Sequence, residues 1–404
     1  MTRRSLVRLS LLGPAFVAGI AYVDPGNVAT NTAAGARYGY LLVWVIVFAN
    51  AMAILVQYLS AKLGIASGAT LAELSRREYG RRTSLALWAQ AEAVALATDL
   101  AEVIGGALAL NLLFHLPLFT GGLITAVVSF AILTIQGPTR QQWYERVILL
   151  LLGVIGLGFV WSAVAATPDP VGIAHGLVPR FAGAESLLLA TGMLGATVMP
   201  HAIYLHSSLV RDRFGAVQAA EKRSLLRATR FDVTVAMAVA GAVNLAMVLL
   251  AAGALRGRGV ETIQDVHQGL STTLGSTTAF LFALALLASG LASSSVGTYA
   301  GAVIWNGFMG TRLALVARRL LTLVPAVVVL GLGIDPTAAL IASQVVLSFG
   351  IPFALFPLVR FTADRRLMGD LVNRPLTTYA GRLVVGLVTA LNLVLVCLTV
   401  AAWF

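Results

Sequence analysis

Eleven apolar stretches follow one another through this 404-residue sequence, at 10–32, 37–61, 84–113, 118–136, 145–166, 186–210, 231–254, 275–306, 312–331, 336–359 and 382–403. Each is near the roughly 20 residues that a helix needs to cross a bilayer core. Lipid offers the backbone no hydrogen bonds, so only helices and closed barrels can span it, and segments of this length select helices. Composition agrees, with 58% hydrophobic and 11% charged residues, against about 25% charged in soluble domains. That balance excludes an ordinary soluble enzyme and a disordered chain. One cysteine, Cys397, excludes a disulfide scaffold and a Cys-rich zinc or iron–sulfur centre.

The net charge of +11 does not signal nucleic acid, because the basic residues sit in short runs between the apolar stretches. With the N-terminus placed inside, 24 of the 28 Lys and Arg residues fall in cytoplasmic segments, Arg318 and Arg319 among them, and only Arg37, Arg180, Arg256 and Arg258 fall outside. The bias alternates correctly across every loop, which supports the count of spans and leaves the C-terminus outside the cell. Arg3, Arg4 and Arg8 before the first stretch mimic a secretory signal. Asp24-Pro25 interrupts that stretch and ten more follow, so the signal reading fails. No loop is long enough for a soluble domain, and residues 1–404 are expected to form one transmembrane domain without a cytosolic extension.

The first stretch is hostile to a continuous helix at its middle, where it reads Ala21-Tyr22-Val23-Asp24-Pro25-Gly26-Asn27. The sixth reads Ala196-Thr197-Val198-Met199-Pro200-His201. Aligned on proline the two echo each other, and the odd number of spans between their starts makes the second enter the membrane in the opposite sense. Broken helices at matching positions of inverted halves point to a transporter's binding site.

Asp24 is a carboxylate near the expected midplane, where an unpartnered charge costs about 3 kcal/mol or more. Few basic residues lie at that depth, so a cation that comes and goes is the expected partner. Asn27 lies one turn later with an amide oxygen, and the carbonyls freed near Ala21 and Ala196 add more. Met199 adds a soft thioether, which gains little with Mg²⁺ or Ca²⁺ but suits Mn²⁺, Fe²⁺ and heavier dications. Alone it would read as packing; beside Asp24 and the paired breaks it reads as a ligand. Gln344 in the tenth stretch offers a further oxygen or an interhelical hydrogen bond.

The third stretch carries Glu92, Asp99 and Glu102 on one helix face. Such acids mark proton routes or hold helices together through ion pairs. His201 and His206 follow the second break and can titrate. Arg318 and Arg319 open the ninth stretch within reach of pairing with the acids; for both and for His206 a structural role stays open. Ser293-Ser294-Ser295 lacks a nucleophile elbow, and no phosphate-binding Gly loop with Lys occurs. The chain is therefore expected not to be an enzyme and not to be driven by ATP.

Taken together, Asp24-Pro25-Gly26-Asn27, Met199-Pro200-His201, Ala97-Thr98-Asp99-Leu100-Ala101-Glu102 and Gln344 resemble the Nramp family of divalent metal transporters, the MntH type in bacteria. The resemblance covers essentially the whole chain. It implies an all-α membrane protein with eleven transmembrane helices in a LeuT-like fold. Helices 1 and 6 would be discontinuous, residues 10–166 and 186–359 would form 5+5 inverted repeats, and 382–403 would be an extra helix. It implies proton-coupled import of Mn²⁺ and Fe²⁺, with Cd²⁺ and Co²⁺ often accepted, in the bacterial plasma membrane. Metal would be bound by Asp24, Asn27, Met199, the carbonyls of Ala196 or Ala21, and sometimes Gln344. Proton movement would use Asp99, Glu102, His201, Arg318 and Arg319, extended by the residue reading to Glu92 and His206. No permanent cofactor is implied; the partners are the metal ion, protons and the bilayer, with no nucleic acid and no fixed oligomeric state. The competing readings are an amino-acid or other organic-solute carrier on the same fold, which an acid at the break argues against, and a passive cation channel.

Overall fold

The computed structural model describes residues 13–135, 140–215 and 219–401. Arg3, Arg4 and Arg8, and the extremities 10–12, 136 and 402–403 of three stretches, lie outside the described residues. No strand occurs among the described residues. The chain forms α1 (Pro14–Ile20), a 3-10 turn (Ala21–Val23), α2 (Pro25–Tyr38), α3 (Val43–Ser67), α4 (Leu71–Glu78), α5 (Arg81–Phe114) and α6 (Leu118–Thr134). Then come α7 (Gln141–Ala165), α8 (Pro170–Gly176), α9 (Ala184–Thr197), α10 (Pro200–Phe214), α11 (Ala219–Ala254) and α12 (Ile263–Leu274). The last are α13 (Ser276–Met309), α14 (Leu315–Gly331), α15 (Pro336–Thr362), α16 (Arg365–Met368) and α17 (Pro375–Ala401). Eight of these spans are long and apolar enough to cross a membrane, counting α9 and α10 as one; α1 with its turn and α6 are shorter apolar helices.

Each stretch read from the sequence contains a helix among the described residues, though α14 is counted neither with the eight nor with the shorter apolar helices, and hydropathy marked some ends poorly. Helix α11 begins at Ala219 rather than 231, and α17 at Pro375 rather than 382. Polar turns extend these helices past the apolar window that defined them. The short helices α4, α8, α12 and α16 sit in connections that carry no apolar stretch. Thr70 and Glu73 start α4, and Thr262 and Asp265 start α12, each as a reciprocal capping box.

Both breaks follow from proline chemistry. A residue before proline avoids the helical region. Asp24 accordingly takes φ −71° and ψ 169°, and Met199 takes φ −68° and ψ 120°. Proline then opens the second half at a position that needs no N–H donor. Carbonyls orphaned in an apolar interior must find other donors. Asn244 Nδ2 of α11 donates to Tyr22 O at 2.7 Å, and Ser289 Oγ of α13 donates to Val23 O at 2.6 Å. Gly105 of α5 admits the first break itself, since a Cβ there would overlap the Pro25 ring.

Charged contacts sort to two ends of the bundle. Glu185 at the start of α9 meets Arg37 and Tyr38 at the end of α2. At the other end Arg211 meets Glu73, Arg213 meets Glu145 and Arg366 meets Glu78. Arg318 and Arg319 belong to neither end: both are buried inside the bundle.

Candidate metal centre

The two breaks meet. Asn27 Nδ2 donates to Ala196 O at 2.9 Å, joining the start of α2 to the end of α9, and also to Asp24 Oδ1 at 2.9 Å. The Asn27 backbone N–H donates to the same carboxylate oxygen at 2.7 Å, so Asp24 caps α2. Gln344 Nε2 of α15 donates to Asp24 Oδ2 at 3.3 Å. Asn27 and, from a distant helix, Gln344 thus meet on one carboxylate, and Asn27 links it to the second break.

The groups that hydrogen-bond Asp24 are neutral. No ion pair to Asp24 occurs among the described residues. Asn27 Oδ1, Gln344 Oε1 and Thr197 Oγ1 are buried with no hydrogen-bond partner. Met199 is 0% exposed and shares a buried cluster with Ala21, Tyr22 and Val23. Asp24, Asn27, Ala196 and Gln344 are likewise closed to solvent, so the structure is occluded around them. Unpaired buried oxygens carry a desolvation cost, and a cation accepting lone pairs from several at once removes it. Among the described residues no group of three His, Cys, Asp or Glu side chains could hold a metal. The groups that meet there are one carboxylate, two amides and the Ala196 carbonyl, with Met199 in the buried cluster beside the first break.

The acids of α5 divide into different environments. Glu92 pairs with Arg318. Asp99 lies 3.5 Å from Arg319, whose guanidinium also donates to Thr298 at 3.1 Å, Ser294 at 2.8 Å and Ser129 at 2.6 Å. Glu102 is fully buried and neither carboxyl oxygen makes a hydrogen bond. Its charged neighbours are Asp99, Asp24 and Arg319. Gly297 on α13 leaves room for it, since a Cβ there would press on the carboxyl group.

The histidines differ as well. His201 Nδ1 lies 3.2 Å from Thr98 Oγ1, while its Nε2 is unpartnered. His206 Nδ1 lies 2.7 Å from Gln57 Oε1, and Gln57 in turn donates to Tyr22 OH. The serine run is absorbed structurally: Ser293 bonds Ser289 O, Ser294 accepts from Arg319 and Ser295 meets Tyr144 OH.

Sequence reading missed Thr197, Gln57, Asn244 and Ser289. Asn244 was findable as the one amide in α11, and Gln57 as one of two in α3 beside Asn50, though nothing in the sequence says which break they serve. Thr197 and Ser289 give no signal, because hydroxyls in such helices usually bond their own backbone.

Known proteins place the chain. The sequence profile described as natural resistance-associated macrophage protein-like (Nramp) matches residues 15–398. The divalent metal cation transporter MntH of Mycobacterium tuberculosis is 56% identical over 392 residues, covering 96% of this chain and 92% of its own length. The crystal structure of the Eremococcus coleocola manganese transporter, in complex with an aromatic bis-isothiourea compound, superposes with a TM-score of 0.86 at 30% identity. It covers 98% of this chain and 87% of that one. A nucleobase-cation-symport-1 transporter, Mhp1 in a closed conformation, shares the fold at a TM-score of 0.61 and 16% identity, over 91% of this chain and 83% of its own.

Proposed function

The chain belongs to the Nramp family, and from that premise we propose that it is a membrane transporter of divalent metal cations, with Mn²⁺ and Fe²⁺ as principal cargo and Cd²⁺ and Co²⁺ accepted. One observation carries the reading: the Asp24 carboxylate sits buried, with no ion pair among the described residues, near unpartnered oxygens where two broken helices meet. Asp24, Asn27 and Met199 bind the ion with the carbonyls of Ala196 or Ala21, and Gln344 closes over it. The thioether biases the set against Mg²⁺ and Ca²⁺.

Transport is coupled to protons. Glu102 takes the proton when metal arrives at ionised Asp24, because a carboxyl with no fixed partner exchanges a proton at no loss of structure. Asp99 and His201 extend the route, with Arg319 paired to Asp99. Glu92 with Arg318, and His206 with Gln57, flank it. The basic-rich end faces the cytoplasm, and the chain forms one transmembrane domain of eleven spans with the N-terminus inside. Import proceeds by alternating access: the end bearing Arg37 and Glu185 closes after metal entry, and α1 swings away from the break to open the inner path. An acid at the break opposes an amino-acid carrier, whose substrate carboxylate needs the positive end of a half-helix.

The test is Mn²⁺ uptake into proteoliposomes that also contain a pH dye. Saturable uptake accompanied by internal acidification, both lost in Asp24→Ala, is expected. Uptake surviving Asp24→Ala overturns the site, and uptake without acidification overturns the coupling.

A further inference from the structure

Proline inside a helix deprives one carbonyl of its donor, the oxygen four residues earlier. In α15 Pro352 does this to Ser348 O. The oxygen is not left bare. Asn392 Nδ2 of α17 donates to Ser348 O at 3.0 Å, while Ser348 Oγ donates to Asn392 Oδ1 at 2.9 Å. Both residues are buried, Ser348 completely. A side-chain amide from another helix thus replaces the backbone N–H that proline lacks, and its own oxygen is matched by the serine hydroxyl.

This bonded pair lies one helical turn from Gln344, and that turn is held from other sides too. A Cβ at Gly195, next to Ala196, would overlap Gln344 O and come within 2.7 Å of Ser348 N. A Cβ at Gly26 would overlap the Gln344 side chain. The turn from Gln344 to Ser348 is therefore enclosed by the first break, the second break and α17. Of these contacts, only the one from α17 is a paired hydrogen bond to the carbonyl that Pro352 orphans. An unanswered carbonyl there would be costly in an apolar surround, and the turn would distort to answer it.

We propose that Asn392 is a positioning residue for metal affinity. By answering the carbonyl that Pro352 orphans, it fixes the Gln344 turn and so holds the Gln344 amide against Asp24. The inference rests on reading Asp24 and Gln344 as part of the metal site. It gives α17, which lies outside the paired halves, a part in substrate binding without touching the ion.

The experiment is a double-mutant cycle on the purified full chain in proteoliposomes, with KM and kcat for Mn²⁺ resolved. In the native background Asn392→Ala is expected to raise KM about fivefold with kcat little changed, the scale of one net hydrogen bond. In the Pro352→Ala background the restored backbone N–H answers Ser348 O, and Asn392→Ala is expected to change KM by less than about twofold. An equal rise in both backgrounds, or none in either, overturns the proposal. If Asn392→Ala does not yield monodisperse protein, Asn392→Asp takes its place, keeping the shape and the acceptor while losing the donor. Recovery of folded protein only alongside Pro352→Ala supports the proposal. Asp24→Ala, measured in parallel, separates the two readings. Uptake that survives it overturns the metal site, whereas uptake lost there with a flat Asn392 cycle overturns this inference alone.

Discussion

Of the six acids buried among the described residues, Glu92, Asp99, Asp24 and Glu102 form two pairs of opposite character. Glu92 and Asp99 each face an arginine from α14, and the Arg319 guanidinium is further fixed by Ser129, Ser294 and Thr298. Asp24 and Glu102 have no ion pair among the described residues. Fixed pairs have already met the cost of burial and gain nothing from a visitor. An acid held only by neutral amides, or by no hydrogen bond at all, is completed by a cation that arrives. On the function proposed above, the first pair is structural and the second exchanges its cation, with Asp99 at the boundary because one of its oxygens is unpartnered.

The largest break in that contrast comes from Asp24→Asn, which keeps shape and removes charge. Mn²⁺ binding by the purified protein is expected to fall below detection while the fold survives, as judged by gel filtration. Arg319→Ala attacks the other pair. It strands a buried carboxylate, and thermal unfolding in detergent should report a loss of about 3 kcal/mol or more. Adding Asp99→Asn should return much of it. Glu102→Gln sharpens the line between the pairs. Thermal stability should stay near wild type, since no hydrogen bond is lost, but Mn²⁺ uptake should no longer rise as the outside pH falls. Stability lost on the scale of Arg319→Ala would move Glu102 into the structural pair. The smallest effect belongs to Met199→Ala. Mn²⁺ uptake should fall a few-fold, while Ca²⁺ becomes a better competitor in the same assay. Unchanged selectivity would return Met199 to packing.

Much of this was legible in the sequence, for identifiable reasons. Asp24-Pro25 and Met199-Pro200 announce breaks because proline's local chemistry acts on its immediate neighbours, and the structure places both breaks there. The face shared by Glu92, Asp99 and Glu102 follows from helical spacing alone. What spacing cannot reveal is which acid meets which partner. Arg318 and Arg319 were counted among the topological charges of a cytoplasmic loop, yet they lie more than 200 residues from their acids and inside the bundle. Their placement is set by helix packing, which a periodic apolar pattern leaves open. The same holds for Asn244, Ser289 and Asn392. Each answers a carbonyl exposed by proline or by a break on a different helix. The need for a donor is written locally, but its source is fixed only when the helices pack. Gln344 shows the finer limit: the sequence offered either its oxygen or an interhelical hydrogen bond, and the structure has the hydrogen bond, with the nitrogen turned to Asp24 and the oxygen unpartnered.

The central claim is that one carboxylate held by amides, at the junction of two broken helices, holds the transported dication. Crystals soaked in Mn²⁺ and measured for anomalous scattering test it most directly. The account predicts one strong peak between Asp24 and Met199, within coordination distance of the Asn27 and Ala196 oxygens. A peak beside Glu92 or Asp99, with none at Asp24, would contradict it.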